Sequence, residues 1–455
     1  MYLYNFAMSK IKECIRRKLK RIYVMEQEKK LNDKKKKKYT ANRLFLFWLC
    51  AVLLYFIANL QKVVMPGAIF NELQEHFSAT AGSVTGIGAI FMYTYAISQL
   101  VVGLLVDRFG GARVMAWGGL VLCVGSLLSA GAPSLWLLYV ARFMVGFGAA
   151  SIYLSITKET SRIYPNSFAI MLGFVMVGGY LGGVTGNAPF IAGVQIMGWQ
   201  QALLLVGCIA TLIYLAYAGL KFTLPMPGVV QTAKFDYHRF FEVLKVRQNI
   251  YILVCGGFPF GLYFAIQSIF GKKFLEDYSG MNPESAGWVL TVLMIIGAVN
   301  SLLAPAFSKM LNNRRRPLMI FSGMGTAVAF LVIVVCLLSG VHSPWLISGA
   351  FILLAFSGNI SPVIVALVRE SNHNDIWGVM LSVYAFLAYI VTAVIGHSIG
   401  WIMELFPPQV ENGIHIYGNK SYLAVFTVLL IISLLAAYSG FRLKESKGQD
   451  ISNKI

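Results

Sequence analysis

Acidic residues are the scarcest chemical group in this chain. It holds 19 Asp and Glu against 38 Lys and Arg in 455 residues, and only 13% of the whole is charged. A soluble protein carries about 25%, so an exterior wetted on all sides is excluded. None of the acids falls inside a long apolar run; Asp107, Glu159 and Glu370 stand at run ends. That removes the carboxylate which usually carries a proton across a membrane. Cysteine is sparse as well, with six residues, most of them inside apolar runs, and no CxxC or Cys/His ligand spacing. Small buried apolar residues explain them better than disulfides or metal sites. The chain also lacks a Walker-type phosphate loop, a nucleophile elbow and any clustered metal ligands. No enzyme activity, cofactor or metal is called for.

What fills the sequence instead is apolar residues, 57% of it. Blocks of about 20 recur from Leu44 onward, long enough to cross a hydrocarbon core of roughly 30 Å. The first half offers spans at 44–65, 83–106, 113–131, 134–156, 168–190 and 199–221. The second offers 249–270, 285–307, 317–338, 344–367, 378–402 and 421–441. The expected fold is an all-α membrane protein with twelve transmembrane helices.

Charge asymmetry gives the orientation. With both termini cytoplasmic, the inward connections carry Arg108 and Arg113, Lys158 and Arg162, then Lys234, Arg239, Lys245 and Arg247. The later inward connections carry Lys309 with Arg314, Arg315 and Arg316, and then Arg369. The outward ones hold little beyond Lys272, Lys273 and Lys420. This is the positive-inside pattern. Residues 1–43 are a basic cytoplasmic tail with "KKKKK" at 34–38, suited to anionic lipid and partly able to form an amphipathic helix over 9–24. No recognition fold accompanies that charge, so nucleic acid is not an expected partner. No short apolar region with a cleavage site precedes Leu44, so a signal peptide is not expected.

The polar segment 222–248 divides the spans six and six, giving bundles at 44–221 and 249–442 and a short cytoplasmic tail at 443–455. The string "GLLVDRFGGAR" (103–113) resembles the signature of the major facilitator superfamily, matched at Gly103, Asp107, Arg108, Gly110 and Arg113. Gly111 and Ala112 depart from it, since further basic residues are usual there. Physically, Asp107 can pair with Arg108 or Arg113, or face a neighbouring helix's positive N-terminus. The resemblance implies two pseudo-symmetric six-helix bundles, alternating access, and a gating role for these five residues. "RFMVGFGAA" (142–150) is similar to the same family's fourth-helix pattern, with Arg142 and Gly146 on one face. "GGYLGG" (178–183) resembles the glycine-rich motif of drug–proton antiporters, but Gly179 replaces their proline, which weakens an efflux reading. "PAFSKMLNNRRRP" (305–317) falls where a duplicated signature belongs, with Lys309 in place of the Asp. That copy is not expected to make the same carboxylate brace.

Binding residues are sought among intramembrane polar groups. Lys62 sits in "ANLQKVVMPG" (58–67), about eighteen residues into the first span, with Asn59 on the same face and Gln61 beside it. It can snorkel outward or face an internal cavity. Arg142, inside the fourth span, would cost several kcal/mol unpaired and so must face a cavity or a polar partner. Tyr95 with Gln99, Tyr263 with Gln267, and Asn359 complete the candidate set; Asn187, Asn300 and Tyr384 are further intramembrane polar groups, and His397 reads as a packed one. The segments 55–77 and 264–287 resemble organic-anion and sugar-phosphate permeases of the superfamily. That resemblance implies that the basic residue at Lys62 holds an anionic group. Fixed cations without fixed interior anions favour the same choice.

The expected function is secondary transport of a small organic anion by a monomer in a bacterial cytoplasmic membrane. Coupling would be by exchange or by a proton travelling with the substrate. Two other readings stay open: a neutral or zwitterionic solute such as a sugar, peptide or drug, and a transporter-like receptor or scaffold.

Overall fold

In the computed structural model, residues 42–224, 238–373, 376–411 and 413–452 are described. Nearly all of the basic tail, with the amphipathic helix expected over 9–24, and most of the polar linker lie outside them. Helices account for most of the described residues. In order they are α1 (Asn42–Ala68), α2 (Phe70–Phe77), α3 (Ala81–Phe109), α4 (Gly111–Ala130), α5 (Leu135–Ile163), α6 (Phe168–Thr185), α7 (Ala188–Met197) and α8 (Trp199–Thr223). They continue with α9 (His238–Lys245), α10 (Arg247–Ser279), α11 (Pro283–Met310), α12 (Arg316–Ser339), α13 (Pro344–Gly358), α14 (Ser361–Ser371), α15 (Trp377–Glu404) and α16 (Asn419–Arg442).

Among the described residues, eleven stretches are long and apolar enough to span a membrane, counting α13 with α14 as one. Twelve result if α6 and α7, bent by 43°, form one span. The spans run to 20–33 residues, roughly 30–50 Å at 1.5 Å per residue, so their ends overhang the hydrocarbon core. Large apolar side chains remain exposed all along them, including Leu212, Leu302 and Ile431. A soluble monomer rarely leaves such continuous apolar surface uncovered; lipid covers it here. Exposed Trp136, Trp288, Trp345 and Trp401 lie towards the helix ends remote from Asn42, where indole rings favour the interface.

Local chemistry sets the helix limits. Thr80, Ser134 and Asn282 cap α3, α5 and α11, each side chain accepting an amide three residues on. Gly110, at φ 85°, turns the chain from α3 into α4, where a side chain would be strained.

Three features depart from the sequence reading. The seventh span continues through Ser279 instead of ending at Phe270, so Lys272 and Lys273 are buried helical residues, not members of an outward loop. Two acids one turn on, Glu276 and Asp277, make this burial tolerable. The fifth span is broken at Asn187. A two-stranded hairpin, β1 (Gln409–Glu411) with β2 (Ile414–Ile416), follows α15. The Asn-Gly pair at 412–413, between alternating apolar residues, is the sequence signal for this hairpin, and the span count passed over it.

Candidate functional site

A cavity of about 140 Å³ lies among α1, α6, α10, α11 and α15 and the α13–α14 junction. Its one cation is Lys62, buried on α1. The ammonium lies 4.2 Å from the centre of the Tyr95 ring, 4.9 Å from that of Tyr389 and 5.8 Å from that of Phe264. Its one hydrogen-bonding contact is the Tyr389 hydroxyl at 3.4 Å. Among the described residues no carboxylate pairs with it. Ring faces are negative, so the charge is held without being neutralised, and Lys62 faces the interior instead of snorkelling.

The remaining polar lining comes from helices that break at cavity level. The α13 helix ends at Gly358 and α14 starts at Ser361, and the gap exposes carbonyls. Asn300 of α11 donates to the carbonyls of Phe356 and Asn359, both at 2.8 Å. This fixes the break and leaves the Asn359 side chain in the wall. Tyr263 lines the wall too, its hydroxyl donating to the Leu293 carbonyl at 3.2 Å. Asn59 enters the lining as well, together with three tyrosines that sequence reasoning missed, Tyr55, Tyr180 and Tyr389. A tyrosine in an apolar run carries no signal of facing a lysine 327 residues away.

The other candidates are placed elsewhere. Gln99, one turn beyond Tyr95, lies outside the cavity lining. Gln267 is fully buried and donates to Asn187 at 3.3 Å, joining the seventh helix to the break in the fifth. Arg142 does not reach the cavity. Helix α1 loses regular geometry at Val64–Ala68, with Met65 at φ −128°, ψ 121°. The break frees the carbonyls of Gln61 and Met65, and the Arg142 guanidinium donates to both, at 2.9 and 2.7 Å, while lying 4.5 Å over the Phe91 ring. Its two terminal nitrogens find their polar partner in the backbone of α1, and its buried Nε has none among the described residues.

The 103–113 turn is arranged differently from its sequence reading. Asp107 pairs with Lys158 of α5 at 2.6 Å, not with Arg108 or Arg113. Arg108 lies over the Phe109 ring, and Arg113 is exposed. The acid facing a helix N-terminus is Glu159, buried, accepting the Ala112 amide of α4 at 3.0 Å and pairing with Arg162. Close packing falls on Gly111, where a Cβ would meet the Ser155 carbonyl at 2.6 Å, while Gly103 has open space. In the second half Lys309 is exposed, yet a carboxylate brace is made all the same. Glu370 of α14 binds Arg315 at 2.8 Å, and Arg315 also donates to Ser308 at 2.6 Å. The acid comes from the tenth span, as Glu159 comes from the fourth, which is why the turn's own sequence did not show it.

Opposite ends of the molecule are closed by different contacts. Where α1 meets α10, Gly67 approaches so closely that a Cβ would stand 2.6 Å from the Ser268 carbonyl. Beyond it Glu72 reaches Lys272 at 3.5 Å, and Asn71 donates to Glu276 at 2.7 Å. Glu404 accepts the Gly82 amide at 2.9 Å, and the Tyr417 hydroxyl accepts that of Ala81. All of these join helices before residue 224 to segments after residue 238. At the other end Asp107–Lys158, Glu159–Arg162 and Arg315–Glu370 each stay on one side of that divide. Among the described residues, the ion pairs and hydrogen bonds that cross the divide cluster beyond α2, and the ion pairs towards Asn42 and Arg442 do not cross it.

A family profile described as Major Facilitator Superfamily matches residues 47–396. The chain belongs to this superfamily. The "Uncharacterized MFS-type transporter YcxA" of Bacillus subtilis is 24% identical over 345 residues, 73% of this chain and 82% of the relative. A Cupriavidus necator protein named "Probable sulfoacetate transporter SauU" is 27% identical over 168 residues, 36% of this chain and 38% of the relative. The chain spans well under half the length of several curated relatives it matches. Among solved structures, a bacterial homolog of the human lysosomal transporter Spinster, inward-facing and unoccupied, matches with TM-score 0.70 at 14% identity. That match covers 89% of this chain and 96% of the other, and shares the fold. The chain is an integral membrane protein with the superfamily's fold.

Proposed function

We propose that the protein is a secondary active transporter of a small organic anion, with Lys62 as the residue that holds the charged group. The observation that carries this reading is a buried ammonium on the central cavity with no carboxylate partner among the described residues. An incoming carboxylate or sulfonate completes an ion pair that the protein leaves open. A lysine offers a point charge, where an arginine would offer a two-pronged fork, so these headgroups suit it as well as phosphate does. Tyr389, Tyr263, Asn59 and Asn359 supply hydrogen bonds around it. About 140 Å³ is well below the roughly 300–1,000 Å³ of drug-sized pockets, which favours a solute of few heavy atoms over a drug. The sulfoacetate name of one relative agrees in charge and size.

Transport proceeds by alternating access between bundles 44–221 and 249–442, joined by the 222–248 linker. Both termini and the 103–113 turn face the cytoplasm of a bacterial cell, and one chain suffices. The end beyond α2 is then the outer one and the state is inward-facing. With no acid among the residues that line the cavity, coupling is by exchange or by a proton carried with the substrate.

Proteoliposome uptake and thermal-shift screening against a panel of small carboxylates and sulfonates test this. Substitution Lys62→Ala should abolish the shift given by the anions, and Lys62→Arg should keep part of it. Equal affinity for the transported anion in wild type and Lys62→Ala would end the reading.

A further inference from the structure

Three span ends meet around a second pocket, at the end of the molecule that bears Asn42. Arg247 opens α10, Arg316 opens α12 and Arg442 closes α16. Together with Lys444 they line a cavity of about 490 Å³, and no carboxylate is among its lining residues. Glu445, the nearest acid in sequence, is committed to the helix start beside it: its two oxygens accept the amides of Arg315 at 2.8 Å and Arg316 at 3.1 Å. The Arg316 guanidinium donates one nitrogen to the Phe441 carbonyl at 2.6 Å, and its buried Nε has no partner. Arg442 leans on the Tyr251 hydroxyl.

The three arginines at one spot repel one another, and burial of a guanidinium nitrogen without a partner is unfavourable. An anion with several acceptor oxygens relieves both. Guanidinium groups match phosphate oxygens in pairs. The level is also informative. Residues that begin and end apolar spans lie at the boundary of the hydrocarbon, where phospholipid headgroups sit. From the pocket, exposed Leu434, Tyr438 and Phe441 follow one face of α16 into the span, at the i, i+4, i+7 spacing of a helical stripe. A basic pocket between span ends is a known way of holding an acidic headgroup, and the stripe gives its acyl chain a track.

We infer that this pocket binds a phosphate-bearing anion, and that its boundary position and apolar track select a phospholipid headgroup over soluble phosphate. It is separate from the Lys62 cavity and does not depend on what that cavity carries.

The test is native mass spectrometry of the full chain with phosphatidylglycerol or phosphatidylcholine. It compares wild type with the double variant R247Q/R442Q, with R316Q, and with R108Q/R113Q as a pair of equal charge from another turn. Arg247 and Arg442 are exposed, so an unchanged melting temperature separates lost binding from lost folding. Wild type should retain phosphatidylglycerol over phosphatidylcholine. Each pocket cation removed should weaken retention about five-fold, and R108Q/R113Q should leave it unchanged. Millimolar inorganic phosphate should not displace the lipid. Displacement by phosphate, with the same dependence on the variants, would overturn the lipid assignment in favour of a soluble phosphoanion. Equal weakening by both double variants, or none by R247Q/R442Q, would overturn the site and leave only attraction to net charge.

Discussion

Lys62 and Arg142 are both buried cations on neighbouring helices, and their surroundings divide the labour between them. The Lys62 ammonium meets ring faces and one hydroxyl, while the Arg142 guanidinium meets two main-chain carbonyls. Ring faces tolerate a second partner for the charge; carbonyls already bonded do not invite one. Removing Arg142 strands two buried acceptors, at about 1–3 kcal/mol each. Arg142→Ala should therefore lower the melting temperature in detergent markedly, with transport lost as a consequence. Lys62→Ala should melt near wild type, and its affinity for the anion should fall roughly ten- to hundredfold, as for loss of a charged hydrogen bond of about 1.5–3 kcal/mol. Melting curves and binding isotherms of the two variants side by side check both statements.

The turn between α3 and α4 is held at the scale of elements. Its conspicuous acid, Asp107, forms a solvent-exposed pair with Lys158, and such pairs contribute about 0.2–1 kcal/mol. Its inconspicuous acid, Glu159, is buried and carries both the α4 amide and Arg162. Glu159→Ala is expected to destabilise the protein by more than 2 kcal/mol on the same scale, and Asp107→Asn by less than 1. Thermal denaturation in one detergent would reveal the order, and equal losses would contradict it. Glycines set the helix spacing in the same region. A Cβ on Gly148 would stand 2.6 Å from the Gly118 carbonyl and the Leu122 amide, so α4 and α5 could not keep their distance. Gly148→Ala should be among the most damaging small substitutions in the chain, and Gly103→Ala, with open space around it, among the mildest.

Across the whole molecule, the end beyond α2 rests on a modest set of links between early and late segments. The Glu72–Lys272 pair is one of the charged ones, and Lys272 keeps Glu276 as a second partner if Glu72 is lost. Glu72→Gln should leave the fold intact while weakening the closure. Spin labels at the exposed positions Ser78 and Lys420, on the two sides of that end, should then show a larger population at long distance by double electron–electron resonance. No shift in Glu72→Gln would mean that the Gly67–Ser268 approach and the Glu404 and Tyr417 bonds hold the end alone. The same labels with and without a transported anion would report alternating access directly.

The sequence by itself settled the membrane, the number of spans to within one broken pair, and the superfamily. Hydropathy is a property of consecutive residues, and a turn signature is local too. It also singled out Lys62, because a charge in an apolar run is conspicuous wherever it ends up. What it left undecided was which charges pair. Lys272 and Lys273 looked like loop residues until the seventh helix ran on to bring Glu276 and Asp277 one turn away. Arg142 looked like a substrate contact until α1 broke beside it and freed two carbonyls. Glu159 and Glu370 reach turns that lie some fifty residues away in the chain, so neither turn's own sequence contains the acid that braces it. Tyr389 stands 327 positions from the lysine it faces. A buried charge takes its role from whatever polar group packing delivers to it, and only the tertiary structure decides that delivery.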